Sequence, residues 1–406
     1  MAATEVPAWA TRLRAEREFR LWSQRDMARE LAQAADEHTA SKLPGRESIV
    51  RRIKAYEAGS NKPRNPYRRL YCLVFGLDEA ELFASEQAPE TSSTDHRFQI
   101  TPHPSVLHQF GELMEYLREQ WHLLVQRDNL LGPRHTVSGV HEQIALLEGI
   151  LLSVRGADRL TTLQLAAQYA ESAAWLHEDA GEPDRARQWT DRAMAWAYES
   201  DDQLMATWTM FRRSQQAMAQ RHPGEVIGLA SAALRHADSL PAPMRAALLQ
   251  QEAQGHALDG DERTCQQRLD EAQAWAASVA DGGDARGGHG SFCSPAYVEM
   301  QRARCWLELR QAPRAVTGYQ VALNDLPPVY RRDRGMALAG LASAYAAIGE
   351  PEQAATTGGH ALEIAQSAGS IRILTVVTSV GRSLRPHRKL PAVAAFHNAL
   401  TAAAAS

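Results

Sequence analysis

The sequence predicts an all-α fold in two helical parts, and three observations carry that expectation. In the N-terminal part, apolar residues recur at the helical period, as in Tyr67, Leu70, Tyr71 and Val74 at i, i+3, i+4 and i+7. From about residue 105 to the end, the 406-residue chain is rich in Ala, Leu and Gln and reads as helical throughout. That second region also repeats itself: a turn followed by two small or modest apolar residues seven positions apart occurs five times.

The first part covers residues 1–83. Trp9 and Leu13 open a first helix. A second begins at Ser23, an N-cap whose S-x-x-D spacing to Asp26 resembles a capping box, and Met27, Ala28, Leu31 and Ala35 give it an apolar stripe. The third is "GRESIVRRIKAYEAGSNKPR", residues 45–64. Placed at 100° per residue, Ile49, Ile53 and Tyr56 fall within about 60° of each other and face a core. Glu47, Arg51, Lys54 and Ala55 lie opposite, with Ser48 and Arg52 at the edge, and Gly59 is the stop. The Tyr67–Val74 stripe follows with Gly76 at a C′ position, and "LDEAELF" adds a short last helix. Residues 84–104, rich in Pro, Ser, Thr and Glu and without periodicity, read as a linker to a second domain at 105–406.

Charge is unevenly spread. The net charge is −4, yet residues 1–83 carry 15 Lys and Arg against 12 Asp and Glu, and residues 42–69 carry 9 against 2. A mildly acidic chain with one concentrated basic patch suggests a local polyanion contact. The four cysteines are scattered, with no CxxC and no zinc spacing, and read as small buried hydrophobes in a reducing cytoplasm. No apolar run approaches the roughly 18–20 residues that span a bilayer, so the chain is expected to be cytoplasmic and without a membrane partner.

The ordered parts of residues 9–83 carry a family resemblance. "LWSQRDMARELA" resembles the first helix of the helix-turn-helix in Cro/C1-type (Xre family) regulators, "IKAYEAG" the end of their recognition helix, and "NPYRRLYCLVFGLDEAELF" the remaining helices. One departure is the stretch of about ten residues, "DEHTASKLPG", between the two central helices, where the usual turn is three or four. It is similar to a variant in actinobacterial regulators. The resemblance implies that double-stranded DNA is the partner. A helix fits the major groove, where Arg reaches guanine O6 and N7 with two hydrogen bonds. The expected base-reading set is Glu47, Ser48, Arg51, Arg52, Lys54 and Ala55. The expected phosphate partners are Gln24, Arg25, Lys42, Arg46, Lys62, Arg64 and Arg68.

The repeats have first anchors Ala186, Val226, Cys265, Ala315 and Ala354, spaced 40, 39, 50 and 39, with seven-residue partners Ala193, Ala233, Ala272, Ala322 and Ala361. The long interval holds the Gly-rich insertion "DGGDARGGHGS" at 281–291, which reads as flexible. Two helices per unit with small residues at close-packed positions resemble tetratricopeptide repeats over about 163–370, although these units exceed the 34-residue consensus. Ala174, Ser214, Ala253, Ala303 and Ala342 stand where that consensus has its small glycine. The resemblance implies a right-handed α-superhelix with a concave groove. A terminal helix pair is expected at 371–404, and one or two helices at 105–155 docking on the front.

By analogy with such units, the groove is expected to present Gln168, Glu171, Trp175, Trp208, Phe211, Gln215, Met218, Gln250, Gln254, Tyr297, Met300 and Arg304. Amides and large apolar side chains suit a peptide or small-molecule effector, or a protein partner. The combination resembles peptide-responsive quorum-sensing regulators, and the Ala- and Arg-rich, Lys-poor composition suits an actinobacterium. A homodimer assembled through the large helical domain is expected, since one short DNA-reading helix offers little contact area. GxGxxG, GxxxxGK[ST], HExxH, GxSxG and CxxC are all absent from the sequence. Neither enzymatic activity nor a cofactor or metal is therefore expected. The competing expectation is a protein–protein adaptor whose helix-turn-helix does not read DNA.

Overall fold

A computed structural model describes residues 7–19, 22–35, 39, 43–75, 79–83, 109–278, 288–327 and 330–403. The described residues form an all-α protein whose helices fall into two compact units, one within residues 1–95 and one within 96–403. The expected C′ glycine Gly76, the 84–104 linker and residues 281–287 of the Gly-rich insertion lie outside the described residues. Among the described residues, no helix is long and apolar enough to cross a membrane.

In the first unit, α1 (Ala8–Phe19), α2 (Gln24–Gln33), α3 (Arg46–Glu57), α4 (Tyr67–Phe75) and α5 (Glu79–Phe83) surround one core. Leu13, Met27, Leu31, Ile49, Ile53 and Tyr71 are fully buried there. The capping box opening α2 forms in both directions: Asp26 N–H donates to Ser23 Oγ at 3.1 Å, and Ser23 N–H to Asp26 Oδ2 at 3.0 Å. Tyr56 at the end of α3 meets the rings of Tyr67 and Tyr71 at 5.9 and 6.3 Å, which fixes α3 on α4.

The second unit opens with α6 (Phe110–Leu131) and α7 (Val137–Leu151). Five helix pairs follow: α8 (Gly156–Asp179) with α9 (Pro183–Glu199), α10 (Gln203–Ala219) with α11 (Pro223–Ala233), α12 (Ala242–Asp259) with α13 (Glu262–Ala277), α14 (Pro295–Glu308) with α15 (Ala312–Asp325), and α16 (Arg331–Ala347) with α17 (Pro351–Ala368). Helices α18 (Ile371–Ser383) and α19 (Pro391–Ala403) end it. All ten repeat anchors are buried, and so are the five small first-helix residues Ala174, Ser214, Ala253, Ala303 and Ala342. Small side chains at these sites let the two backbones of a pair approach closely, which explains a seven-residue signal that outlasts the rest of the pattern.

Each pair turns in the same way. One residue takes a left-handed conformation (Gly181, Arg221, Gly260, Arg310 or Gly349), and the next N–H bonds back to the helix, as in Glu182 N–H to His177 O at 2.8 Å. At two of the five turns this residue is an arginine, at φ 59° and 60°. A Cβ in that region is disfavoured, whereas glycine adopts it freely. Arg310→Gly is therefore expected to stabilise the second unit by about 0.5–1 kcal/mol, net of the freedom glycine adds to the unfolded chain. A thermal melt showing a loss would contradict it. Arg221 is the poorer choice because its guanidinium pairs with Glu308.

The series curves until its ends meet. Helix α6 packs on α17, and α8 on α18. Gly132, after α6, has φ 85°, and a Cβ on it would lie 1.9 Å from the Ala368 carbonyl oxygen, so backbone meets backbone at this seam. Arg332 crosses the same seam, donating to Asp128 at 2.9 Å and to Asp179 at 3.0 Å.

Candidate functional site

The first unit presents α3 as its charged face. Glu47, Arg51, Arg52 and Lys54 are exposed, Ser48 and Ala55 are half-buried, and Ile49, Ile53 and Tyr56 are buried. The core side falls where the helical wheel predicts, but Ala55, placed opposite it, is half-buried and Arg52, placed at the edge, is exposed. The Arg52 guanidinium lies 5.4 Å from the Tyr67 ring centre.

The end of α3 is held by a buried ion pair. Arg17 of α1 donates from Nε and Nη2 to the Glu57 carboxylate at 2.6 and 2.9 Å, and from Nη1 to the Trp22 carbonyl at 2.8 Å. Gln24, at the start of α2, donates its amide to Glu57 Oε2 at 2.9 Å. One carboxylate thus ties three helices together at the base of the charged face. Burial, and then the Glu57 carboxylate, push the neighbouring Tyr71 phenol up. The sequence signal for this clamp was the Glu before the Gly59 stop, but its partner lies 40 residues upstream and no local pattern points to it.

The expected phosphate partners divide. Arg25, Arg46 and Arg64 are exposed, although Arg46 donates to the Arg25 carbonyl at 3.2 Å. Lys42 lies outside the described residues. Three differ from the expectation. Gln24 turns its amide inward to Glu57, because a buried carboxylate is the stronger acceptor. Arg68 pairs with Glu79 at 2.7 Å and lies over the Phe83 ring, and Lys62 donates to the Phe83 carbonyl at 3.2 Å. Both hold α5 in place.

The interior of the second unit corrects the groove expectation. Glu171, Trp208, Phe211, Met218, Gln250, Gln254, Tyr297 and Met300 are buried as packing residues. Gln168, Trp175 and Gln215 are half-buried, and Arg304 is exposed. The reason is that His289, within the Gly-rich insertion, and Phe292, just after it, fill the space. His289 stacks on Trp208 at 5.2 Å between ring centres, and Phe292 meets Tyr297 at 4.9 Å and Phe211 at 6.4 Å. Gln254 donates to Gln250 Oε1 at 2.6 Å, and Gln250 in turn to the Ala247 carbonyl, so these amides serve each other. A cleft of about 160 Å³ remains, lined by Arg118, Gln168, Asp202 and His289 among others. That is smaller than the roughly 300–1,000 Å³ of pockets that hold drug-sized ligands.

A charged network surrounds Trp175, with the guanidiniums of Arg372, Arg212 and Arg332 at 4.4, 4.8 and 5.6 Å from its ring centre. Glu171 accepts from Trp208 Nε1 at 2.9 Å and from Arg212. Burial pushes the Glu171 carboxyl up, but Arg212 and then His289 outweigh it and hold it below the usual range. At Asp179 burial is likewise outweighed, by Arg372 and Arg332. Burial pushes Glu178 and Asp333 up, and their arginine neighbours offset it only in part. Among the described residues, no group of His, Cys, Asp and Glu could hold a metal ion. No protein-family model matches the chain, and no curated protein matches its sequence.

Proposed function

We propose that the chain is a sequence-specific, DNA-binding transcription regulator rather than an enzyme. In this reading α2 and α3 act as a helix-turn-helix of the Cro/C1 type and the second unit is a tetratricopeptide-like superhelix. The observation that supports it best is the exposed Arg51 and Lys54 on a helix whose opposite face is fully buried and whose end is fixed by the Arg17–Glu57 pair. A rigid basic helix suits the major groove, and a concentrated basic patch on an acidic chain favours a polyanion. The repeat unit is assigned to dimerisation and to sensing an effector. The small cleft beside Gln168 suits only a compact group, so a peptide would have to displace the His289–Phe292 packing.

Selection of bound fragments from random DNA would identify an operator, against which mobility shifts are then measured over a salt series. Affinity is expected to fall with a log–log slope of roughly −0.9 per phosphate contact. Arg51→Ala is expected to cost about 1–3 kcal/mol at one base pair and to relax specificity there. Arg64→Ala should instead weaken all sequences alike and reduce the slope by about 1. A flat salt dependence, or the same pattern for both variants, would sink the assignment and leave the adaptor reading.

A further inference from the structure

Helix α6 buries Met114, Leu117, Trp121 and Asp128. This inner face is fixed on α8 by Trp121 Nε1 donating to Ser172 Oγ at 2.8 Å and by Tyr169 OH donating to the Leu117 carbonyl at 2.7 Å. On the outer face Tyr116, Leu123 and Leu130 are 56%, 46% and 68% exposed. Single exposed apolar residues are normal on any protein. These three are not scattered, because they recur every seven residues and so form one stripe along a 22-residue helix.

The charges beside the stripe are ordered about its centre. Glu112 and Glu119 lie N-terminal to Leu123, and Arg127 lies C-terminal to it, all within about 40° of Leu123 around the helix. A two-fold axis at Leu123 that sets a second copy antiparallel matches the stripe and its nearest charges. Leu123 meets itself, Tyr116 meets Leu130, and Glu119 faces Arg127. In a parallel pair the same stripe would instead set Glu119 beside Glu119 and Arg127 beside Arg127.

We propose that the outer face of α6 is a homodimer interface in which two copies pair antiparallel about Leu123. A self-complementary patch is what a two-fold contact requires.

The test measures the mass of the full chain by light scattering and sedimentation without DNA, so its outcome is independent of operator binding. The wild type is expected to be a dimer. Leu123→Glu sets two carboxylates against each other at the axis and should weaken the dimer at least ~100-fold. Glu119→Arg and Arg127→Glu should each weaken it roughly tenfold, and the two together should restore it. Circular dichroism checks that each variant is folded, and the charge-reversed double variant decides the question even if Leu123→Glu does not fold. A Leu123→Cys chain should also form a covalent dimer on oxidation. A monomeric wild type, a dimer indifferent to these changes, or a double variant no better than its parents would overturn the proposal.

Discussion

Arg332→Ala is expected to destabilise the second unit by about 3–5 kcal/mol, the cost of breaking a buried ion pair from one side. Arg332 donates from Nη1 to Asp128 at 2.9 Å and to Asp179 at 3.0 Å, and from Nη2 to Asp128 and to Asn129 at 3.2 Å. Arginine is the only side chain that offers this planar fork. Asp179 keeps Arg372 at 3.1 Å and the Ser370 hydroxyl at 2.6 Å, but Asp128 would be left buried without its ion pair. Since the guanidinium joins α6 and α8 to α16, the seam where the series closes should open first. Hydrogen exchange should rise in α6 and α18 before it rises in α11 or α13, and the melting midpoint should fall by roughly 10 °C.

Acidification supplies a second check with a definite sign. The folded state holds the Asp179 carboxyl below its ordinary range, so its stabilisation is present above the unfolded value and is lost as pH falls through the folded one. The variant lacks much of that depression. Burial already holds Asp128 above its ordinary range, and removing Arg332 takes away the main offset, so its penalty is relieved as pH falls through that raised folded value. The deficit should therefore be greatest near neutral pH and begin to shrink above about pH 4, with the Asp179 part lost below that, where aspartate protonates in the unfolded chain. A deficit under about 1 kcal/mol at pH 7 would mean that the seam does not close in solution.

What the sequence made legible was local. The period of Ile49, Ile53 and Tyr56 placed the core side of α3, and the Ser23–Asp26 spacing placed the start of α2, because both are set within a turn or two of helix. Ala186 and Ala193, with their counterparts, marked the contacts within each pair for the same reason. A curved superhelix was expected from the resemblance, but how far it curves was not legible. Curvature accumulates from small rotations between pairs, so nothing near Arg332 announces an aspartate 204 residues away. The groove expectation failed on this point. Trp208, Phe211 and Tyr297 do sit on one face of their helices, but His289 and Phe292 pack on that face. A Gly-rich composition describes the freedom of a segment and says nothing of where its aromatic side chains land. The outer stripe of α6 was readable in principle, yet periodicity cannot tell which apolar face of a two-faced helix stays uncovered.

Arg17→Ala is expected to cost the first unit about 3 kcal/mol and to weaken DNA binding although Arg17 itself touches no base in the proposed complex. Arg17 and Glu57 are both buried, and removing the guanidinium leaves the carboxylate with the Gln24 amide as its one side-chain donor among the described residues. In a unit of this size the loss is a large part of the total stability, which is typically about 5 kcal/mol. Hydrogen exchange in residues 46–57 should rise steeply while α8–α17 stay protected, because the two units have separate cores. Exchanging both partners for apolar side chains, Arg17→Met with Glu57→Leu, should recover most of the stability, since no charge is then left buried and Gln24 is half-exposed and can turn to water. The double variant also separates two roles of the clamp. If the pair serves only to hold α3, DNA affinity returns with stability. If affinity stays low in a fully folded double variant, the buried charges do more than hold the helix, and the account of Glu57 as a positioning residue is wrong.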